Sequence, residues 1–423
     1  MKWLLLLIVA GGTLTAGDKI GRAPELPDTT PWDLRLLSDA PDFHWLEEKK
    51  PIRSLIYAGE NMFGEPTEIF AFYASPATLG GNVAGEREYP AVVLIHGGGG
   101  TAFAEWVWLW ASRGYAAIAM DLGGMRPADP VIDGEIGELV EDRGFDRKER
   151  KRLSSGGPEQ GHMQKFGAIG EETDDDWSFH AVSAVIRAHS LIRSFREVDP
   201  KRTAVTGISW GGYTTCIVAS IDDRFAAAVP VYGCGFLHEG ESVQKPLIDA
   251  LELRDEWIRL YDPSSYLSAC RVPILWVNGT NDKHYPLDSY MRSADLVQGP
   301  RNMRIQAPMP HGHRPGWAPA EIGLFIDSYC RNGIPLATVR DATLISGKPF
   351  AKVESQVGLK SASLHFTADS GPLVSRKWKS LPATVDDGVI KGPPLPEGTK
   401  IWTLSVTDER DAMTTSGAVF VKD

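Results

Sequence analysis

The chain has 423 residues with 44 basic and 55 acidic side chains, which gives a formal net charge of −11. This length allows one large domain with a smaller companion, and an apolar content of 43% is enough for a sizeable core. The acidic balance argues against nucleic acid or an anionic membrane surface as the main partner, because both favour clustered Lys and Arg. The basic run RKERKR, residues 147–152, is interpreted as a solvated helix face.

The first residues, MKWLLLLIVAGGTLTAG, have the pattern of a secretory signal peptide. One Lys precedes an apolar stretch over residues 3–10, which is too short to span a bilayer, and small residues follow. Cleavage is expected near Ala16 or Gly17. The sequence therefore predicts a signal peptide over residues 1–17 and a secreted or periplasmic protein, with no membrane attachment beyond the cleaved signal.

Cysteine spacing indicates neither a zinc site nor a redox pair. The four cysteines lie far apart without a CxxC pair, and each is flanked by apolar sequence: Cys216, Cys234, Cys270 and Cys330. Export permits a disulfide, but buried free thiols are equally compatible with this pattern. His, Asp and Glu show no metal-binding spacing either, so we expect neither a metal nor a cofactor.

Short β-rich runs alternate with amphipathic stretches from residue 52 onward. The segments 52–59 and 68–76 predict an opening antiparallel pair, 91–100 a buried strand, 104–114 a helix and 116–124 another strand. After an irregular excursion the alternation resumes, with helices near 174–195, 287–298 and 318–330 and strands near 203–207, 224–234, 273–279 and 303–308. This order predicts a largely parallel sheet with helices on both faces.

The chain divides into three predicted parts after the signal peptide is set aside. An N-terminal extension covers residues 18–51, and a catalytic α/β domain covers residues 52–332, with excursions at 125–173 and 236–268. From residue 333 the pattern changes to short alternating runs separated by turn residues. Residues 333–423 therefore predict a small all-β, sandwich-like domain.

The segment GISWGG places Ser209 between glycines, after a strand and before a helix. Gly-x-Ser-x-Gly in that context predicts a nucleophile elbow, a strained turn that exposes the serine hydroxyl above the sheet. Gly207 and Gly211 lack a Cβ where strand and helix nearly touch. A hydroxyl needs a base to become a nucleophile, and the acid and the histidine are expected after later strands, in the order Ser, Asp, His.

Candidates for the acid and the base follow the next strands. Asp282 is the carboxylate of the loop after PILWVNG, where it would orient an imidazole and stabilise its protonated form. Two histidines follow the strand MRIQAP. His311 is favoured by its distance from the strand, whereas the glycine before His313 eases a tight turn and favours that residue. We therefore predict His311 as the base and keep His313 as the alternative.

The segment HGGGGT, residues 96–101, is the candidate for binding a developing negative charge. Its backbone amides at Gly97 or Gly98, together with that of Trp210 after the nucleophile, predict an oxyanion hole. No Lys-Ser or Lys-Thr pair follows the glycines, which excludes a phosphate-binding P-loop.

Taken together, HGGGG, GISWGG, YGCGF, WVNGTND and MPHGHRPGW resemble the α/β-hydrolase superfamily over about residues 50–332. The branch concerned joins dienelactone hydrolases, acetyl xylan esterases and prolyl oligopeptidase-like serine peptidases. The resemblance implies an α/β-hydrolase fold, a triad of Ser209, Asp282 and His311 or His313, and an oxyanion hole of Trp210 with Gly97 or Gly98. Dienelactone hydrolases carry a Cys nucleophile where this chain has Ser209.

These features predict a serine hydrolase that cleaves carboxylic esters, acetyl or other short acyl esters of carbohydrates or small molecules. Two alternatives stay open. One is an exopeptidase with the same triad, in which Glu171 and Glu172 would bind the substrate amine; residues 18–51 are too short for the N-terminal β-propeller usual in such peptidases. The other is an inactive hydrolase fold that serves as a binding module.

Overall fold

The computed structural model of the chain describes residues 25–133, 138–166, 169 and 175–421. The predicted signal peptide at 1–17 lies outside the described residues, as do Glu171 and Glu172. Within the described residues, no helix is both long enough and apolar enough to cross a membrane. All four cysteines are buried and free.

The strands fall into four groups along the chain. The first group runs Phe43–Glu47 (β1), Arg53–Ala58 (β2), Glu68–Ala74 (β3), Tyr89–Ile95 (β4) and Ala116–Met120 (β5). Short strands follow at Met125–Arg126 (β6), Val131–Ile132 (β7), Leu139–Glu141 (β8) and Lys151–Arg152 (β9). The third group is Val198–Ile208 (β10), Ala227–Val231 (β11), Ile274–Gly279 (β12) and Arg301–Gln306 (β13). The last group is Thr338–Ile345 (β14), Lys348–Glu354 (β15), Leu359–Thr367 (β16), Lys379–Asp386 (β17), Val389–Lys391 (β18), Ile401–Asp408 (β19), Met413–Thr415 (β20) and Val419–Phe420 (β21).

Helices occupy most of the connections between the central strands. They run Leu34–Leu37 (α1), Pro76–Gly80 (α2), Ala104–Ser112 (α3), His162–Phe166 (α4), Trp177–Ser194 (α5), Trp210–Ile221 (α6), Lys245–Asp249 (α7), Arg254–Tyr261 (α8), Leu287–Leu296 (α9), His313–Trp317 (α10) and Ala320–Cys330 (α11). Helices α5 and α6 pack on each other and on the sheet. Helix α3 is tied to α11 by the ion pair of Arg113 with Asp327, at 2.6 Å.

The centre of the fold is a mixed sheet whose middle strands are parallel. Strand β10 lies between β4 and β11, β12 and β13 follow β11, and β5 lies beside β4, all in parallel register. Strands β3, β2 and β1 extend the β5 side in antiparallel pairs. The middle strands are buried over most of their length because helices cover them, as their continuous apolar sequence predicts.

The C-terminal strands, which the sequence predicts as a small sandwich-like domain, are hydrogen-bonded to this sheet. Strand β20 pairs antiparallel with β13 through Thr415 and Met303. The buried carboxylate of Glu321 in α11 accepts the backbone N–H of Met413, at 2.8 Å. The region also has a small apolar core of its own, around Leu364, Trp402 and other side chains. The β-rich character is present, and the boundary at residue 333 stays a prediction.

The excursion over residues 125–173 contains the strand pairs β6–β9 and β7–β8 and helix α4. Residues 147–152 are largely exposed, as predicted, but the expectation that they form a helix was wrong. Arg147–Glu149 form a single 3-10 turn, and the guanidinium groups of Arg150 and Arg152 donate to backbone carbonyl groups of neighbouring loops. The physical reason is that glycine-rich loops leave carbonyl oxygens without partners, and the five N–H groups of an arginine can satisfy several of them.

The turn between β10 and α6 depends on a close approach of backbone to backbone. A Cβ added at Gly211 would lie far inside the contact distance of Ile95 O and 2.7 Å from His96 O, both at the end of β4. Ile95 is paired with strands on both sides, so its carbonyl cannot move without disturbing the sheet. The absence of a side chain at Gly211 therefore lets the start of α6 pack directly on the strand.

We expect Gly211→Ala to destabilise the protein by at least about 3 kcal/mol, because the added methyl group meets fixed backbone. The measurement is the apparent melting temperature. Gly398→Ala is the matched control: Gly398 has φ of +75° with no heavy atom within 4 Å of an added Cβ, so this change should cost about 1 kcal/mol. A smaller loss in Gly211→Ala than in the control would contradict this account of the turn.

Candidate active site

Ser209 occupies the sharp turn between β10 and α6. Its backbone has φ of 59° and ψ of −117°, a conformation that serine rarely adopts and that costs about 1–3 kcal/mol. Two hydrogen bonds hold it: Ser209 N–H donates to Val231 O at 2.8 Å, and its carbonyl accepts from Tyr213 N–H at 2.9 Å. The turn exposes the hydroxyl to the loops at the carboxyl ends of the strands, where Oγ lies 3.0 Å from His311 Nε2.

Asp282 follows the end of β12 and is held rigidly. Its Oδ1 accepts the backbone N–H groups of His284, at 2.8 Å, and Tyr285, at 2.9 Å. Its Oδ2 lies 2.6 Å from His311 Nδ1. The side chain is only 1% exposed, so the negative charge acts in a poorly solvated site. The carboxylate thus fixes the ring orientation of His311 and favours a proton on Nδ1.

His311 lies in the loop after β13, between Asp282 and Ser209. The ring of Tyr232 stacks on it at a centroid distance of 4.6 Å, and the Tyr232 hydroxyl donates to Pro310 O at 2.6 Å. Its side chain remains 28% exposed, which leaves room for a water or a substrate beside the ring. The structure therefore brings Ser209, Asp282 and His311 into one hydrogen-bonded chain.

His313 lies on the glycine loop and not on Ser209. Its Nε2 accepts the backbone N–H of Gly97 at 3.0 Å, and its ring packs on Phe103 and Trp317. Burial, with nearby cations, lowers the pKa of His313 to about 3. The ring is neutral at physiological pH, with Nε2 as an acceptor, and it fixes the position of the loop.

The hydrogen bond to His313 changes which amides are available to a substrate oxygen. Gly97 N–H is occupied, whereas the N–H groups of Gly98 and Trp210 donate to no acceptor within the described residues. The two residues are adjacent, since a Cβ at Gly98 would lie 3.0 Å from Trp210 Cδ1. Of the predicted pair Gly97 and Gly98, the geometry favours Gly98 together with Trp210.

Side chains from elsewhere in the chain brace the rest of the glycine loop. His96 Nδ1 lies 2.8 Å from Gly97 O, and its Nε2 accepts the N–H of Leu122 at 2.9 Å. Burial lowers the pKa of His96 to about 4, so this ring is also neutral at physiological pH. At the loop's far end, Asp121 accepts the hydroxyl hydrogen of Thr101 at 2.6 Å, which agrees with a bracing role for this carboxylate.

The excursion over residues 125–173 makes two further contacts with the glycine loop that the sequence did not reveal. Arg150 donates to the carbonyl oxygens of Gly99, at 2.9 Å, and Gly100, at 2.8 Å. Gln160 Oε1 accepts the N–H of Gly99 at 3.1 Å. Both residues lie in a stretch without helical or strand periodicity, so no pattern in the sequence connects them to the site. No cluster of metal-binding side chains was found among the described residues.

Comparisons with known proteins agree with this fold. The family model for acetyl xylan esterase (AXE1) matches residues 65–246. The acetyl xylan esterase from Paenibacillus sp. R4 superposes with a TM-score of 0.52 at 21% identity, covering 73% of this chain and 97% of that one. Acetyl xylan esterase 1 from Thermoanaerobacterium sp. JW/SL YS485 gives 0.50 at 15% identity, covering 71% and 95%.

These matches confirm the resemblance that the motifs carry. The solved structures share the fold with this chain, and the family match includes the glycine loop and the segment around Ser209. The chain has the α/β-hydrolase fold, and its residues 65–246 match the family model for acetyl xylan esterase (AXE1).

Proposed function

We propose that this protein is a serine hydrolase that cleaves acetyl or other short acyl esters, including those of carbohydrates. The observation that carries the proposal is the chain of two hydrogen bonds, Ser209 Oγ to His311 Nε2 at 3.0 Å and His311 Nδ1 to Asp282 Oδ2 at 2.6 Å. The acetyl xylan esterase match supports the choice of ester substrates. Secretion or a periplasmic location is part of the same proposal and rests on the N-terminal sequence.

In the first half of the reaction His311 acts as the general base. Its Nε2 takes the proton of Ser209 while Oγ attacks the ester carbonyl carbon, and Asp282 stabilises the imidazolium that forms. The carbonyl oxygen becomes an oxyanion, to which Gly98 and Trp210 donate their free N–H groups. Collapse of the tetrahedral intermediate breaks the bond to the alcohol, which leaves with the proton from His311.

The second half of the reaction hydrolyses the acyl-enzyme. A water molecule beside the exposed edge of His311 gives its proton to Nε2 and attacks the acyl carbon. The same two N–H groups stabilise the second oxyanion, and Ser209 recovers its proton from His311 as the acid leaves. The cycle consumes one water and returns the three side chains to their initial protonation states.

Ser209→Ala is expected to lower kcat for p-nitrophenyl acetate by at least about a thousandfold, because the nucleophile is removed. It should also abolish labelling by a fluorophosphonate. Ser220→Ala, in the same helix, is the matched control; the hydroxyl of Ser220 donates to Cys216 O and lies away from the site. Robust labelling of Ser209→Ala, or no labelling of the parent, would contradict the proposal and favour an inactive binding module.

The different roles of the two histidines predict different losses of kcat when each is replaced by glutamine. His311→Gln should lower kcat by at least about a thousandfold, because glutamine cannot accept the serine proton. His313→Gln keeps an acceptor for Gly97 N–H, so kcat should fall by no more than about tenfold. The measurement is kcat for p-nitrophenyl acetate in both variants, with melting temperatures as a check on folding. The reverse order of losses would assign the base to His313.

Substrate preference separates the esterase from the exopeptidase. We expect kcat/KM for p-nitrophenyl acetate to exceed that for aminoacyl-p-nitroanilides by at least about a hundredfold, because the described part of the site presents no carboxylate pair to an amine. Glu171 and Glu172, the sequence candidates for that task, lie outside the described residues. A higher kcat/KM for the anilides would replace the esterase by the peptidase.

A further inference from the structure

Two cations of the excursion over residues 125–173, Lys165 and Arg147, flank the glycine loop. Lys165, in α4, places Nζ 4.8 Å from the ring centroid of Trp210 and 5.7 Å from that of Trp177. Arg147 places its guanidinium directly over the Cα of Gly99, at the position that a side chain there would need. Within the described residues, neither forms an ion pair with Asp or Glu, although most arginines of the chain do.

Lys165 lies close to the reacting groups because Trp210 connects them. The Cδ1 edge of the Trp210 ring touches Gly98, and Lys165 lies over the ring of the same residue. Trp210 and Gly98 also supply the two free N–H groups of the oxyanion site. The Lys165 ammonium group and Gly98 therefore lie beside the same indole ring, the first over its face and the second at its edge.

Three described carboxylates of this region accept hydrogen bonds from other groups. Asp121 accepts from the hydroxyl of Thr101 and from two backbone N–H groups. Asp142 accepts the N–H groups of Glu105 and Gly144, and Asp146 accepts that of Lys148. Among the described residues, no carboxylate therefore pairs with Lys165 or Arg147, in a protein whose net charge is −11.

Electrostatic effects on the neighbouring groups agree with a positive site. Burial lowers the pKa of Lys165 to about 8, so the group is still mainly charged at neutral pH. After burial, Arg150 and Lys165 add to the lowering of the His96 pKa, and Arg150 and Arg147 to that of His313. A partly buried cation without a counter-ion is unfavourable in the free protein and favours binding of an anion.

We propose that Lys165 and Arg147 form a carboxylate-binding subsite beside the oxyanion site, so that the preferred esters carry a carboxylate near the reacting carbonyl. This inference rests on the proposed ester hydrolysis and names its substrate class. The carboxylate belongs either to the acyl group, as in a dicarboxylic half-ester, or to the alcohol, as in an acetylated uronic acid. Both sources present the same charge to the same two cations.

The test compares kcat/KM for charged and neutral members of two ester pairs. One pair is p-nitrophenyl hemisuccinate and p-nitrophenyl methyl succinate, with the charge in the acyl group. The other is the acetylated methyl glycosides of glucuronic acid and glucose, with the charge in the alcohol. We expect a charged-to-neutral ratio of about ten in at least one pair, which also identifies the source. Ratios of one or less in both pairs would overturn the subsite.

Substitutions of the two cations test whether they produce the preference for charged esters. Lys165→Met and Arg147→Met should each lower the charged-to-neutral ratio about fivefold, the scale of one partly solvated charge interaction, while Lys165→Arg keeps most of it. Lys148→Met is the matched control, since it removes one exposed charge from the same segment without a contact to the glycine loop. Added NaCl should reduce the ratio in the parent. An unchanged ratio in Lys165→Met would overturn the assignment.

The measurements distinguish failure of the carboxylate subsite from failure of the proposed ester hydrolysis. If neutral and charged esters are both hydrolysed at equal rates, the hydrolase stands and the subsite fails. If no ester is hydrolysed, calorimetric titration of Ser209→Ala with sodium succinate and sodium glucuronate still measures the subsite. Binding that is lost in Ser209→Ala/Lys165→Met supports it, and absence of binding for both anions contradicts it.

Discussion

The contact between the start of α6 and the end of β4 is the constraint on which the site depends. Gly211 lies so close to Ile95 O that no side chain fits between them, and this proximity fixes the path of the chain through Ser209. The strained φ of Ser209 persists because hydrogen bonds to Val231 and Tyr213 hold the residue on both sides. The backbone conformation of Ser209 is thus fixed by packing and by backbone hydrogen bonds.

The parallel order of β10, β12 and β13 then brings the other two groups to the same place. All three strands end at one edge of the sheet, so Ser209, Asp282 and His311, which are distant in sequence, meet in the loops that follow. Asp282 is buried and doubly bonded to the backbone, while His311 keeps an exposed edge. The carboxylate is therefore enclosed and held by the backbone, whereas the imidazole keeps contact with solvent.

The sequence predicted the central elements well because strong local signals specify them. The apolar runs of β4, β11 and β12 and the helical period of α5 and α11 determined their type, with small errors at the ends. The residues that the structure brings together at Ser209 were also found, since glycine turns and strand ends mark them in the chain. Their catalytic roles stay predictions until the variants are measured.

What the sequence could not reveal lies in the irregular segments. The contacts of Arg150, Gln160 and Lys165 with the glycine loop and Trp210 depend on the path of the excursion, which has no periodicity to read. For the same reason residues 147–152 were taken for a helix face. The choice between Gly97 and Gly98 needed the His313 hydrogen bond, a contact between residues far apart in sequence that no spacing rule predicts.

The pairing of β20 with β13 has a consequence for the C-terminal region. Strand β13 leads directly into the loop that carries His311, and its outer side is paired with Thr415 near its middle. Without residues 413–415 this side would present unpaired N–H and C=O groups, the kind of exposed edge that recruits another chain and promotes aggregation. The C-terminal strands therefore shield the sheet from self-association beside the very loop that holds the imidazole.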